Sequence, residues 1–235
     1  EGVPHGWVAL LREAGPVFWQ DERDGRGFWS LTRYDDVLAA SKDYTTYSSE
    51  LGGTSLMDLT SEQVQSRMSM LDSDPPGHTR FRSQLTGFFT PGRVRRMEPR
   101  IQRFVDDAFA EVRELREADV FNQFAAKVSV KVACLANGFP LEDSDMLNRL
   151  VWRFFARQEG VQGMTQDGLA AMMEMTAYFA ELIQKRRKAG VSDKSVIDTV
   201  LGVEIDGRRF SDEEAGSHLS MFIIGGAETL PKTFS

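Results

Sequence analysis

Ser211-Asp212-Glu213-Glu214 opens a run that continues through Leu219, Met221, Phe222, Ile223 and Ile224 into Gly225-Gly226-Ala227-Glu228-Thr229. The serine and the glutamate three residues later form a capping-box pattern, which starts a helix immediately ahead of an apolar stretch. That helix then meets two adjacent glycines, each costing about 1 kcal/mol relative to alanine in a helix interior. An acid and an alcohol follow at once, and Pro231 disturbs the hydrogen-bond ladder two residues on. A kinked core helix with a satisfied glutamate would explain the apolar part alone. Glycines, acid and alcohol clustered where a helix should be most regular predict instead that something lies close against the backbone.

Working outward, the rest of the chain reads as mainly helical. Ile101, Phe104, Val105, Ala108, Phe109, Val112 and Leu115 fall at helical spacing and make one apolar stripe. Phe121, Phe124, Ala125, Val128, Val132 and Leu135 repeat the pattern, and Gly138 with Pro140 closes that helix. Met146 to Phe155 gives a third helix. Met172, Met175, Phe179, Leu182 and Ile183 give a fourth, which ends in Lys185-Arg186-Arg187-Lys188, cations suited to the negative end of a helix dipole. Strands are few: Pro16–Gln20 and Gly27–Tyr34 flank Asp24-Gly25, and a second Asp-Gly, at 206–207, separates Val203-Glu204-Ile205 from Arg208-Arg209-Phe210. The polar stretch from Ser48 to Arg67, with Gly52-Gly53, reads as a long loop. The fold class is mainly α with a small antiparallel β portion near the N-terminus, in one domain spanning 1–235.

Composition narrows the function. The 235 residues include 28 Lys plus Arg and 35 Asp plus Glu, a net charge of −7, which argues against a nucleic-acid binder. A single cysteine excludes a disulfide framework and any multi-cysteine zinc site within the chain. The apolar stretch Leu219 to Ala227 is far short of the ~20 residues that span a bilayer, and no signal-peptide pattern opens the sequence. The expectation is a cytoplasmic protein with no membrane span and no nucleic-acid partner.

A second constellation is Asp74-Pro75-Pro76-Gly77-His78-Thr79-Arg80-Phe81-Arg82. Asp74 suits an N-cap and Pro75 the first helical position, so a helix is expected to start there. His78 and Arg82 are then one turn apart on one face. Two cations so placed repel by a few tenths of a kcal/mol, and an anion between them reverses the sign.

Together these residues resemble the cytochrome P-450 family of haem-thiolate monooxygenases, of the soluble bacterial type. Asp74 to Arg82 looks like that family's C helix, and Gly225 to Thr229 looks like the oxygen-binding groove of its I helix. Gly27-Phe28-Trp29-Ser30-Leu31-Thr32-Arg33-Tyr34-Asp35-Asp36-Val37 and Asp206-Gly207-Arg208-Arg209-Phe210-Ser211-Asp212-Glu213-Glu214 match further, in order along almost the whole chain. The resemblance implies a P-450-like helical fold and a haem b cofactor (iron protoporphyrin IX). His78 and Arg82 would bind its propionates, and Gly225 and Gly226 would open the helix beside it. Glu228 and Thr229 would relay protons to dioxygen as the catalytic pair. It implies an oxidoreductase that hydroxylates a lipophilic small molecule, with ferredoxin and ferredoxin reductase supplying electrons. Arg93, Arg95, Arg96, Arg100 and Arg103 form a basic cluster to which an acidic ferredoxin would be steered, or else a solvated face with ion pairs. Met57, Met68, Met70, Leu71, Phe155 and Met164 fall in segments that cover the distal pocket in that family.

The departures carry information too. In the family a Phe precedes the thiolate cysteine by seven positions and a Gly by four, with a Gly two after. Around Cys134 those positions hold Lys127, Val130 and Ala136. Cys134 therefore reads as a small core residue, and no residue of the chain is assigned as a metal ligand. The family's Glu-x-x-Arg pair is absent, and Leu230 stands where many members have a second hydroxyl residue. Both the thiolate loop and the Glu-x-x-Arg pair follow the I helix in the family. The expectation is the N-terminal part of a longer protein, with the C-terminal haem-thiolate loop outside it. A peroxygenase would not need the acid–alcohol pair. A non-catalytic helical remnant that binds haem or a partner is the reading from another class.

Overall fold

The structure, a computed structural model, describes residues 5–22, 25–51, 60–62, 69–158, 163–190, 195–205 and 207–233. Asp24, Gly52, Gly53, Met57, Met68 and Asp206 lie outside the described residues. The chain forms two compact units, Glu1–Thr79 and Arg80–Ser235.

In the first unit, helix α1 (His5–Ala14) leads into strand β1 (Val17–Gln20), which pairs antiparallel with β2 (Phe28–Leu31). The register sets Trp19 opposite Trp29, with the two rings edge to face at 4.9 Å. Gly27 has φ +74, and a Cβ there would lie 2.5 Å from the Gln20 carbonyl, so the hairpin return admits glycine alone. β2 is shorter than the sequence reading allowed, because Arg33 caps α2 (Tyr34–Lys42) and Tyr34 is already helical.

In the second unit the core is helical. Helix α3 (Gly77–Leu85) straddles the unit boundary in the chain, and α4 (Pro91–Arg113) follows it. A π-helical turn (Val120–Ala125) leads directly into α5 (Ala126–Asn137). Next come α6 (Ser144–Phe155), α7 (Gln166–Ala189), α8 (Val196–Gly202), a two-residue hairpin of β3 (Glu204–Ile205) with β4 (Arg208–Arg209), and α9 (Asp212–Glu228). Helix α9 packs on α5, α6, α7 and α8. Its Ala215, Leu219, Ile223 and Ala227 are buried against a core that includes Val130, Leu147, Phe179, Ile183 and Ile197. Among the described residues no helix is long and apolar enough to cross a membrane.

Four differences from the sequence reading have physical causes. Helix α3 starts at Gly77, two residues after Pro75. The Asp74 carboxylate is occupied elsewhere, accepting from the Ser49 backbone N–H at 2.9 Å, and Pro75 and Pro76 form the turn that precedes the helix. The stripe on α4 is incomplete: Ala108 is buried, Phe109 is 57% exposed, and Leu115 lies past the helix end. The helix read from Phe121 begins as the π-turn because Asp119 accepts from Asn122 N while Gln123 N bonds back to Asp119 O. Helix α9 ends at Glu228, which puts Gly225 and Gly226 in its last turn rather than its middle. Pro231 supplies no N–H to continue the ladder, and the chain tightens into a 3₁₀ turn at Pro231–Thr233.

Two contacts fix the helices that carry the candidate residues. The first is on α9, where a Cβ at Gly226 would lie 2.5 Å from the Ala133 Cβ of α5, while a Cβ at Gly225 would meet nothing within 4 Å. The Ser129 hydroxyl of α5 donates to the Gly226 carbonyl at 2.5 Å. The second is an aromatic cluster. Phe81 of α3 lies 4.4 Å from the His218 ring of α9, and Phe210 lies 4.9 Å from Phe81 and 4.7 Å from His218. Burial in this cluster pushes the His218 pKa down from 6.5 to about 4, with Glu214 pulling the other way.

The glycines predict opposite outcomes. Gly226→Ala should destabilise by about 1–3 kcal/mol through overpacking against Ala133. Gly225→Ala should gain about 0.5–1 kcal/mol of helix stability. Chemical denaturation of both variants checks this, and equal effects would contradict the close approach. For His218 the unfolded chain titrates near 6.5 and the fold near 4. Between those values the unfolded state binds more protons. Stability is therefore intact above 6.5 and falls as pH drops through the window, by about 3 kcal/mol in all. Arg208 holds Glu214 down to about 2 from 4.5, so its contribution is lost only below 4.5. His218→Leu should accordingly flatten the stability slope between pH 6.5 and 4.5, and a slope equal to wild type would count against the buried neutral imidazole.

Candidate functional site

Helix α3 presents His78 and Arg82 one turn apart, as the spacing predicts. His78 is half-buried and Arg82 exposed, and neither side chain makes a hydrogen bond or ion pair among the described residues. Arg82 follows Phe81, whose ring anchors α3 on α9 at His218. His218 lies seven residues before Gly225, a rise of about 10 Å along the helix. The aromatic cluster thus fixes α3 two turns from the glycine end of α9. Sequence reasoning missed it, since Phe81, Phe210 and His218 fall on three separate segments.

At the end of α9 the two glycines separate by role. Gly226 faces Ala133 and is taken up by helix packing, whereas Gly225 is exposed and opens to free space. The Thr229 hydroxyl is exposed and donates to the Gly225 carbonyl at 2.7 Å, leaving its oxygen lone pairs available. Glu228 is largely buried, with 14% of its side chain accessible, and its carboxylate pairs with Lys232 one turn on. Lys232 was not singled out in the sequence, although its i, i+4 spacing from Glu228 was legible there.

Cys134 is fully buried in α5, and burial pushes its thiol up to about 12. A thiol so desolvated carries no thiolate to offer a metal. Among the described residues no group of three or more His, Cys, Asp or Glu could hold a metal ion. Of the expected pocket lining, Met70 is buried, Phe155 half-buried against Phe154 at 4.9 Å, and Leu71 and Met164 exposed. The arginines at 93, 95, 96, 100 and 103 all lie on α4. None makes an ion pair among the described residues, and Arg95, Arg96, Arg100 and Arg103 are exposed. Arg93 instead stacks over the Phe88 ring at 4.5 Å.

No family model matches the chain. A Mycobacterium tuberculosis relative carrying the cytochrome P450 123 name is 29% identical over 229 residues, which is 97% of this chain and 56% of the relative. The steroid C26-monooxygenase of the same organism is 27% identical over 241 residues, 97% of this chain and 55% of that protein. In backbone, a Mycobacterium marinum cytochrome P450 solved with pseudoionone superposes with a TM-score of 0.84 at 22% identity, covering 99% of this chain and 59% of that one. The chain spans about half the length of the curated relatives it matches. Over that span the chain is similar in sequence to cytochromes P450 and shares their backbone fold.

Proposed function

We propose that the protein carrying this chain is a haem-dependent monooxygenase that hydroxylates a lipophilic small molecule with dioxygen. In this reading ferredoxin and ferredoxin reductase supply the electrons, and residues 1–235 form the N-terminal part of a single domain. The observation that carries it is the coincidence of a P450-like chain with His78 and Arg82, unpartnered among the described residues and one turn apart on α3, and an open, hydroxyl-bearing end of α9.

The residues present fit haem b at its carboxylate edge. Each propionate needs a charge-assisted donor, and His78 and Arg82 have no competing acid among the described residues. Arg82 would take a propionate through its planar fork, and His78 would donate from a ring nitrogen. A thiolate ligand for the iron would come from outside the described residues, because Cys134 is buried in the core and burial raises its thiol to about 12. Haem, when bound, supplies the redox chemistry that activates dioxygen. Gly225 leaves room for a small molecule beside the helix. Thr229 would hold a proton at Oγ1, and Glu228, reaching the surface beside Lys232, would return one from solvent.

Three measurements test this on the intact protein. Reduced under carbon monoxide, it should show the red-shifted Soret band of a thiolate-bound haem; absence of that band would leave the non-catalytic helical remnant as the reading. His78→Ala and Arg82→Ala should each weaken haem retention by about 1.5–3 kcal/mol without moving the Soret position. Full haem occupancy in the double variant would remove both from the site. Thr229→Ala should keep haem and still consume reduced cofactor, with less product and more hydrogen peroxide released per electron. Glu228→Gln should slow turnover as a whole. A fully coupled Thr229→Ala would refute the proton role of that hydroxyl.

A further inference from the structure

A cleft of about 530 Å³ opens in the second unit between the start of α4, the end of α5 and Ser195, the residue that caps α8. Two arginines line it, Arg93 and Arg96, one turn apart on α4. Phe88, Met97, Leu135 and Ala136 supply apolar walls. One end is closed by tight packing, since a Cβ at Gly138 would lie 2.6 Å from the Ser195 Cβ.

Arg96 makes no ion pair or hydrogen bond among the described residues, and Arg93 contacts only the Phe88 ring face. The first turn of α4 carries no acid. The carbonyls at the end of α5, which would otherwise set a negative potential beside the arginines, are partly engaged. Cys134 O accepts from the N–H groups of Gly138 and Phe139, both at 2.9 Å, and Gly138 O accepts from Arg186 at 2.9 Å. In a protein of net charge −7, two neighbouring arginines with no acidic partner among the described residues, in a cleft with apolar walls, are a local exception.

We propose that this cleft binds a small amphipathic carboxylate, its head held between Arg93 and Arg96 and its apolar stem laid against Phe88, Met97 and Leu135. The guanidinium fork matches a carboxylate through two parallel hydrogen bonds. The apolar walls of Phe88, Met97 and Leu135 reward a hydrocarbon stem, which favours a carboxylate on such a stem over a bare phosphate. The site is built from α4 and α5 and shares no residue with the constellation of His78, Arg82 and Gly225 to Thr229, so it stands or falls apart from the haem reading.

Isothermal titration calorimetry of the intact protein tests it, with octanoate as probe, 1-octanol as its neutral counterpart and inorganic phosphate as the bare anion. Octanoate should bind one to one, with 1-octanol and phosphate each about tenfold weaker or worse. Arg96→Gln and Arg93→Gln should each weaken octanoate about tenfold, the loss of one charge-assisted hydrogen bond. Arg95→Gln, on the same helix and outside the cleft, should leave the affinity unchanged. The Soret band should not move as this site fills. Octanoate affinity that is unaltered in both cleft variants, or equally weakened by Arg95→Gln, would overturn the proposal. Equal affinity for 1-octanol or phosphate would overturn it as well.

Discussion

The contact of Gly226 with Ala133 sets how near α9 comes to α5, and much of the second unit follows from it. Helices that meet side chain to side chain sit about 8–10 Å apart, and removing a Cβ at the crossing lets the backbones close in. Here the approach is close enough for the Ser129 hydroxyl to reach the Gly226 carbonyl. That bond satisfies a carbonyl near a helix terminus that otherwise has no intrahelical partner. Cys134, the next residue on α5 and the chain's one cysteine, is fully buried as well. The opposite consequence appears one residue before Gly226 on α9. With Gly226 turned into the packing, Gly225 is turned out of it, and its carbonyl accepts from the Thr229 hydroxyl.

The helical character of the chain was legible because amphipathic stripes are a property of local spacing. Met175, Phe179, Leu182 and Ile183 are buried as their spacing predicts, and Gly138 does cap α5 in the left-handed conformation. The capping box of Ser211 and Glu214 forms in full. What failed were boundaries set by competition. Asp74 had a second claimant in the Ser49 amide, twenty-five residues away, and so did not cap α3. The π-turn depends on how Asp119 divides itself between Asn122 and Gln123, which hydrophobic periodicity does not register.

The candidate site was legible as residue types and only partly as geometry. His78 and Arg82 share a face because four residues make about one turn, a certainty once α3 exists. The two adjacent glycines looked like one feature in the sequence and are two in space, since neighbouring residues on a helix point about 100° apart. Nothing local distinguishes Gly225 from Gly226; Ala133, more than ninety positions earlier, makes the difference. The aromatic cluster was invisible for the same reason. His218 sits in an apolar run where a histidine reads as a blemish, and its role in joining α3 to α9 emerges only when Phe81 and Phe210 arrive from other segments.

Charge placement divides the second unit between cohesion and recognition. Several acid–base pairs join elements: Arg208 holds Glu214 at the start of α9, Arg187 holds Asp212, and Arg153 bridges Asp167 and Glu174 between α6 and α7. These pairs are largely exposed and worth about 0–1 kcal/mol each, so they orient helices more than they stabilise them. The arginines of α4 stand outside that network, although the protein has seven more acids than bases to offer. Among the described residues the five guanidiniums on this helix form no ion pair, and Arg93 lies over the Phe88 ring. Arg93 and Arg96 line a cleft with apolar walls, and the others are exposed to solvent.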